Sequence, residues 1–168
     1  ALDKLQLNVA ATIHTVYTTL ISHPLDLGLA FDGTTYHAFT TSGTGAVPVM
    51  NDSVKSVTLP TISAPANGAN VSRAADLTVS WADAGTDSTV YMMAFVGSLV
   101  DTTKFAAAAL TRDQNGSLTV PSVQLSLMPN GTGELVLVRF RLVRRDLAGR
   151  KIDLISEAVR RRPVVLVN

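Results

Sequence analysis

Cysteine is absent from all 168 residues, which excludes disulfides, thiolate metal sites and a cysteine nucleophile within the chain. Histidine is nearly absent: His14, His23 and His37 are the three, and their spacing matches no local zinc pattern. They read as surface or turn residues. Aromatic residues make up 5% of the chain, with a single tryptophan, which leaves little material for stacking platforms. No apolar run approaches the ~20 residues of a membrane-spanning helix, because Arg, Asp or Gly interrupts every long candidate. Charged residues are also few, at 16%, and mean hydropathy is +0.27, so the composition is that of a folded chain rather than a disordered one.

A chain of this length buries roughly 70% of its unfolded surface on folding and needs no cross-links to hold a core. It opens Ala1-Leu2-Asp3 without Met, which reads as processed or trimmed, and an exported protein would lose its signal at such a point.

The near-neutral total hides a segregation of charge. Residues 1 to 138 carry 5 Lys and Arg against 10 Asp and Glu, whereas residues 139 to 168 carry 9 against 3. A basic end of this kind suits phosphate, anionic lipid or acidic glycan. The simpler expectation is that its arginines are the solvent-facing positions of neighbouring strands.

Short segments of period-two alternation separated by turn residues run through the sequence. Leu5 to Val9 and Thr12 to Leu20 read as strands. Leu25 to Ala30 and Thr35 to Phe39 flank Asp32-Gly33, a hairpin signal, and Thr41 to Gly45 reads as a loop before a further strand over Val54 to Leu59. The expected organisation is a small β unit over 1–56, either separate from or part of the same domain as the β domain over 57–168. In Asp76 to Trp81, Leu77, Val79 and Trp81 share one face, which marks Trp81 as a core residue. Ser88 to Gly97 is a strand with both faces apolar. The alanine run within Thr103 to Leu110 fits a short helix or a strand. Asp113 to Gly116 is a turn, Ser117 to Val120 a strand, and Pro121 to Pro129 one or two helical turns with Pro at the start. Leu135 to Arg145 is the clearest strand; its alternation predicts Arg139 and Arg141 on the solvent face and Phe140 on the core face. The chain closes with two strands, Ile152 to Val159 and Val164 to Val167, separated by Arg160 to Pro163.

Seven or so short strands joined by Gly, Pro and Asn turns suggest an antiparallel sandwich, hence an all-β fold. Pro65-Ala66-Asn67-Gly68 through Leu77-Thr78-Val79-Ser80-Trp81 resembles the opening of immunoglobulin-like or fibronectin-III-like modules in bacterial surface proteins and lipoproteins. Gly116 to Pro121 and Leu127 to Gly131 are similar to the crossover before their penultimate strand. The resemblance covers about 110 residues, leaves the first 56 unexplained and departs from antibody domains in lacking the cysteine pair. It implies an immunoglobulin-like sandwich, a fold that hosts adhesion, glycan binding and plain spacing alike.

Little chemistry is legible. Asp83, Asp87 and Asp101 are the carboxylates best placed to gather calcium at one end of a sandwich, but three fall short of the six or more oxygens that ion takes, and turn chemistry explains them more simply. Asp113 to Gly116 imitates the start of an EF-hand loop, yet Gln124 stands where its closing Glu belongs. There is no Gly-x-Ser-x-Gly, no phosphate-cradling glycine loop, no dinucleotide fingerprint, and no His after residue 37. Glu134 and Glu157 are the only glutamates, and they read as solvated strand positions rather than a glycosidase pair. No enzyme activity and no cofactor are expected. Nucleic-acid binding is not expected either, because the one aromatic among the arginines, Phe140, belongs to the opposite face. The expectation is a non-enzymatic, exported surface or periplasmic module, for instance in a lipoprotein whose anchoring Cys lies outside this sequence. Its partner would be another envelope protein or an anionic surface met by a stripe of Arg139, Arg141, Arg144 and Arg160. A carbohydrate-binding module and a fibre or pilus subunit are the alternatives.

Overall fold

The computed structural model describes residues 3–9, 12–18, 31–44, 47–107, 110–147 and 149–168. The chain divides into two units, Ala1–Ala30 and Phe31–Asn168. In the first, β1 (Asp3–Val9) and β2 (Thr12–Thr18) pair antiparallel in the register Asp3↔Thr18 to Val9↔Thr12. The expected strand over Leu25 to Ala30 lies outside the described residues.

Near the start of the larger unit, the Asp32 carboxylate accepts the amide hydrogens of Thr34 and Thr35, closing an Asx turn that launches β3 (Tyr36–Thr44). β3 runs through the stretch expected to be a loop and pairs antiparallel with β4 (Val47–Lys55). The division therefore falls after Ala30 rather than after residue 56. The physical reason is burial: β4 packs against the last two strands of the chain, and Val54, Ser56 and Val57 are all buried.

Beyond them the chain forms two sheets. β5 (Thr61–Ala64), β7 (Leu77–Ala82) and β11 (Ser117–Val120) make an antiparallel three-stranded sheet in the order β11-β7-β5. β6 (Asn70–Ser72), β8 (Val90–Ser98), β9 (Phe105–Ala107), β10 (Thr111–Arg112), β12 (Gly131–Leu147) and β13 (Arg150–Val167) make the larger one. Its order is β10-β8-β12-β13-β6, with β9 beside β10 on the free edge of β8. All its pairings are antiparallel except β13 with β6, which is parallel. The fold is thus all-β, with a mixed sheet where a purely antiparallel one was expected. The alanine run resolves as strand over β9, since pairing with β8 outweighs helix propensity there.

The two sheets share one core. Ile62, Val79, Trp81 and Val120 face it from the small sheet, and Met92, Val96, Leu135 and Leu137 from the large one. A single helical turn, α1 (Ser122–Leu125), crosses from β11 toward β12 and closes one end with buried Leu125. Its Ser122 amide donates to the Asp76 carboxylate at 2.7 Å. Gly116, at φ 69°, takes the left-handed conformation that ends the preceding 3-10 turn over Asp113–Asn115. Gly133 answers a different need: a Cβ there would stand 2.9 Å from the Gly97 carbonyl oxygen, so only glycine lets β12 pass β8 at that point.

The last two expected strands are one. β13 runs unbroken from Arg150 to Val167 and accommodates Pro163, because its β6 partner pairs only from Val165 onward. The proline therefore costs no ladder bond on that side. Its carbonyl still accepts the Gly68 amide at 2.9 Å.

Candidate functional site

Leu135 to Arg141 decides the site. In β12 the odd-numbered residues face the core and the even-numbered ones face outward, the reverse of the expected phase. Arg139 is 2% exposed, while Phe140 lies half-buried on the outer face, its ring stacked on Tyr91 with centroids 5.8 Å apart.

The buried guanidinium spends every donor within the chain. Nε and Nη2 donate to one carboxylate oxygen of Asp113 at 3.2 and 3.1 Å. Nη2 also donates to the Asp83 carbonyl at 3.0 Å, and Nη1 to the Thr58 hydroxyl at 2.6 Å and its carbonyl at 3.4 Å. An arginine carries five N–H groups, and these contacts use all of them. The other Asp113 oxygen accepts the Gly85 amide at 2.9 Å, and the Asp113 carbonyl accepts the Trp81 indole N–H at 3.1 Å. Asp83 sits at φ 62°, a left-handed conformation that aspartate tolerates and that turns its carbonyl toward the guanidinium. One charged pair thereby joins the large sheet, the 3-10 turn, the loop after β7 and the segment between β4 and β5.

Around this pair lies a polar cleft of about 200 Å³ whose walls include Lys55, Ser56, Thr86, Asp87 and Arg141. Arg141 extends along the same face as Arg139 and donates to the Asp87 carboxylate at 2.7 Å and the Thr89 hydroxyl at 2.9 Å. The Thr89 hydroxyl and amide, followed by Arg141, hold the Asp87 carboxyl at about 2, below its ordinary 3.8. A carboxyl depressed on folding stabilises the fold above its unfolded value and loses that contribution as pH falls through the folded one. The urea midpoint is therefore expected to drop between about pH 4 and pH 2, and Asp87→Asn to flatten that slope in a pH series of urea unfolding. Some slope remains in the variant, because hydrogen bonds hold the carboxyls of Asp76, Asp101 and Asp153 low as well.

The four arginines expected to line one exposed stripe do not share a surface. Arg139 is buried and Arg141 lies beside it, largely covered. Arg144 lies on the outer side, paired with Asp153 at 2.7 Å, and Arg160 reaches from β13 to the Pro60 carbonyl at 3.3 Å. Arg162 does likewise to the Pro65 carbonyl at 2.6 Å, so these last two tie β13 to the flanks of β5. Arg139 and Arg141 are thus covered while Arg144 and Arg160 stay exposed, so the four form no single stripe.

The three calcium candidates are also separated. Asp83 and Asp87 flank the cleft before β8, whereas Asp101 follows β8, a strand of nine residues that spans roughly 30 Å. Asp101 instead accepts the Thr103 amide and hydroxyl in a local turn. Among the described residues no three His, Cys, Asp or Glu side chains gather in a way that could hold a metal ion. His37 packs edge-on against Phe31 with centroids 4.9 Å apart; His23 lies outside the described residues, and of His14 only its place in β2 is described.

A second surface went unread in the sequence. On the outer face of the large sheet, Tyr91, Met93 and Phe95 of β8 stand beside Phe140, Val138 and Val136 of β12, and Val159 and Ile155 of β13 continue the field at 40% and 48% exposure. A shallow apolar groove of about 310 Å³ runs between Met93, Phe95, Val138 and Ile155. The field measures roughly 15 by 25 Å from strand spacing and rise, on the order of 400 Å², the size at which an exposed patch on a monomer is often functional. The signal was present in the two-faced apolar runs of β8 and β12, which imply either a second layer or an exposed apolar face.

In comparison with known proteins, no family model, no curated protein and no solved structure matches the chain.

Proposed function

We propose that residues 57–168 form an immunoglobulin-like sandwich that acts as a non-enzymatic interaction module of the cell envelope, engaging a partner protein through the outer face of its large sheet. The strand order supports the fold: β5-β7-β11 opposite β8-β12-β13 follows the A-B-E and C-F-G arrangement of that architecture, with the crossover turn α1 between the fourth and fifth of these strands. β6, β9 and β10 are additions at the edges. The observation that carries the function is the apolar outer face, which water leaves unsatisfied and a protein surface would cover.

The glycan-binding alternative has less to stand on. Within residues 57–168 Trp81 is buried at 4% exposure, and the Arg112 guanidinium lies 4.4 Å from the Tyr91 ring centroid, so neither ring is open to a sugar; the exposed Tyr36 belongs to β3, outside the sandwich.

Immobilised chain is incubated with the envelope fraction of its source across a salt series, beside a Val138→Asp variant shown by circular dichroism to be folded. Capture that survives high salt and disappears with the variant supports the proposal, because apolar contacts are insensitive to screening. Capture that fades with salt and ignores the variant overturns it.

A further inference from the structure

One row across the outer face carries two charges without an opposite partner among the described residues. Register places Arg112, Tyr91, Phe140 and Glu157 side by side on β10, β8, β12 and β13. Directly opposed residues project from the same face of a sheet. Three strand spacings separate Arg112 from Glu157, roughly 14 Å, so the two cannot meet within one chain. Arg112 is instead held over Tyr91. Both are exposed, and neither forms an ion pair.

We propose that the outer face is a homodimer interface, closed by a second copy of this chain about a two-fold axis that lies in the interface close to the direction of β12. This rests on the reading of that face as a docking surface and names its occupant. Such an axis exchanges the two flanks of the sheet. Glu157 of each copy then lands beside Tyr91 and Arg112 of the other, so the two unpaired charges of each chain are satisfied twice over. The exchange also sets Met93 against Val159 and Phe95 against Arg161, whose charge Glu134 already balances, and Val138 near the axis meets its own copy. Aligned sheets pack at about −30°, which such an axis gives when tilted about 15° from the strand. Arg144, the next outward cation on β12, is already neutralised by Asp153 and brings no uncompensated charge to the axis. An interface that presents the same patch twice must be self-complementary, and a row with a cation at one end and an anion at the other meets that condition.

Sedimentation of the full chain over a concentration series reads the association constant directly. A concentration-dependent dimer is expected, abolished by Val138→Asp. Charge reversal provides the discriminating arm, since Arg112 and Glu157 are exposed and their substitution leaves the core intact. Arg112→Glu or Glu157→Arg alone should weaken dimerisation about ten-fold at low salt, and the double reversal should restore it to within about three-fold of the parent. A chain that stays monomeric, or a dimer indifferent to these substitutions, overturns the inference. If the chain is monomeric while Val138→Asp still abolishes envelope capture, the second copy fails and the docking surface stands. If the substitution alters neither, both fail.

Discussion

Arg139→Met is expected to cost about 3–5 kcal/mol in urea unfolding, because it strands the Asp113 carboxylate in the core with the Gly85 amide as its remaining side-chain partner. The loss is that of an uncompensated buried charge, not of the attraction between the pair. Taking two ions out of water is itself expensive, so removing both should cost much less than two single losses combined. Arg139→Met with Asp113→Leu is therefore expected to be strongly non-additive, with the double variant more stable than either single one. A single substitution costing under about 1 kcal/mol would show that water reaches the pair and would displace it from the centre of the fold.

Trp81→Ala should cost about 3–5 kcal/mol by cavity formation, since the indole fills the space between the sheets from β7. Its N–H adds a second contribution. Trp81→Phe keeps most of the ring volume and drops the hydrogen bond to the Asp113 carbonyl, with an expected loss near 1 kcal/mol beyond the change in packing. Because the same residue accepts from both Trp81 and Arg139, Trp81→Phe and Arg139→Met should not add. Urea midpoints of the two single variants and their combination give the coupling directly. A full-sized loss for Trp81→Phe, equal to that for Trp81→Ala, would mean that the hydrogen bond rather than the ring fixes this part of the core.

Much of the secondary structure could be read from residue order. The alternation of Leu77, Val79 and Trp81 gives β7 and its inward face, Pro121 opens a helical turn, and Asp113 to Gly116 is a turn because Gly116 accepts positive φ. Pro163 misled by the same local logic: it predicts a break, but a proline is harmless where the neighbouring strand has not yet begun to pair. Thr41 to Thr44 read as a loop for their composition, yet pairing with β4 satisfies their backbone as strand.

The site was least legible where both faces of a strand are apolar. Leu135, Val136, Leu137 and Val138 fix no phase, so Arg139 and Arg141 set it by the ordinary rule that arginines face water. The rule fails because Asp113, 26 residues earlier in the chain, waits on the inside with the Thr58 and Asp83 carbonyls. Once that phase inverts, Phe140 turns outward, and a basic exposed face becomes an apolar one rimmed by Arg112 and Glu157.

Composition and period-two patterning, which act through each residue's neighbours in sequence, determined that this chain is all-β, free of disulfides and built from strands with identifiable turns. Tertiary structure alone decided which side of β12 is the inside, which charges are spent in holding the sheets together, and which surface is left over. Those outcomes depend on partners far apart in the chain, and a buried ion pair or an uncovered apolar face exists only once they have met.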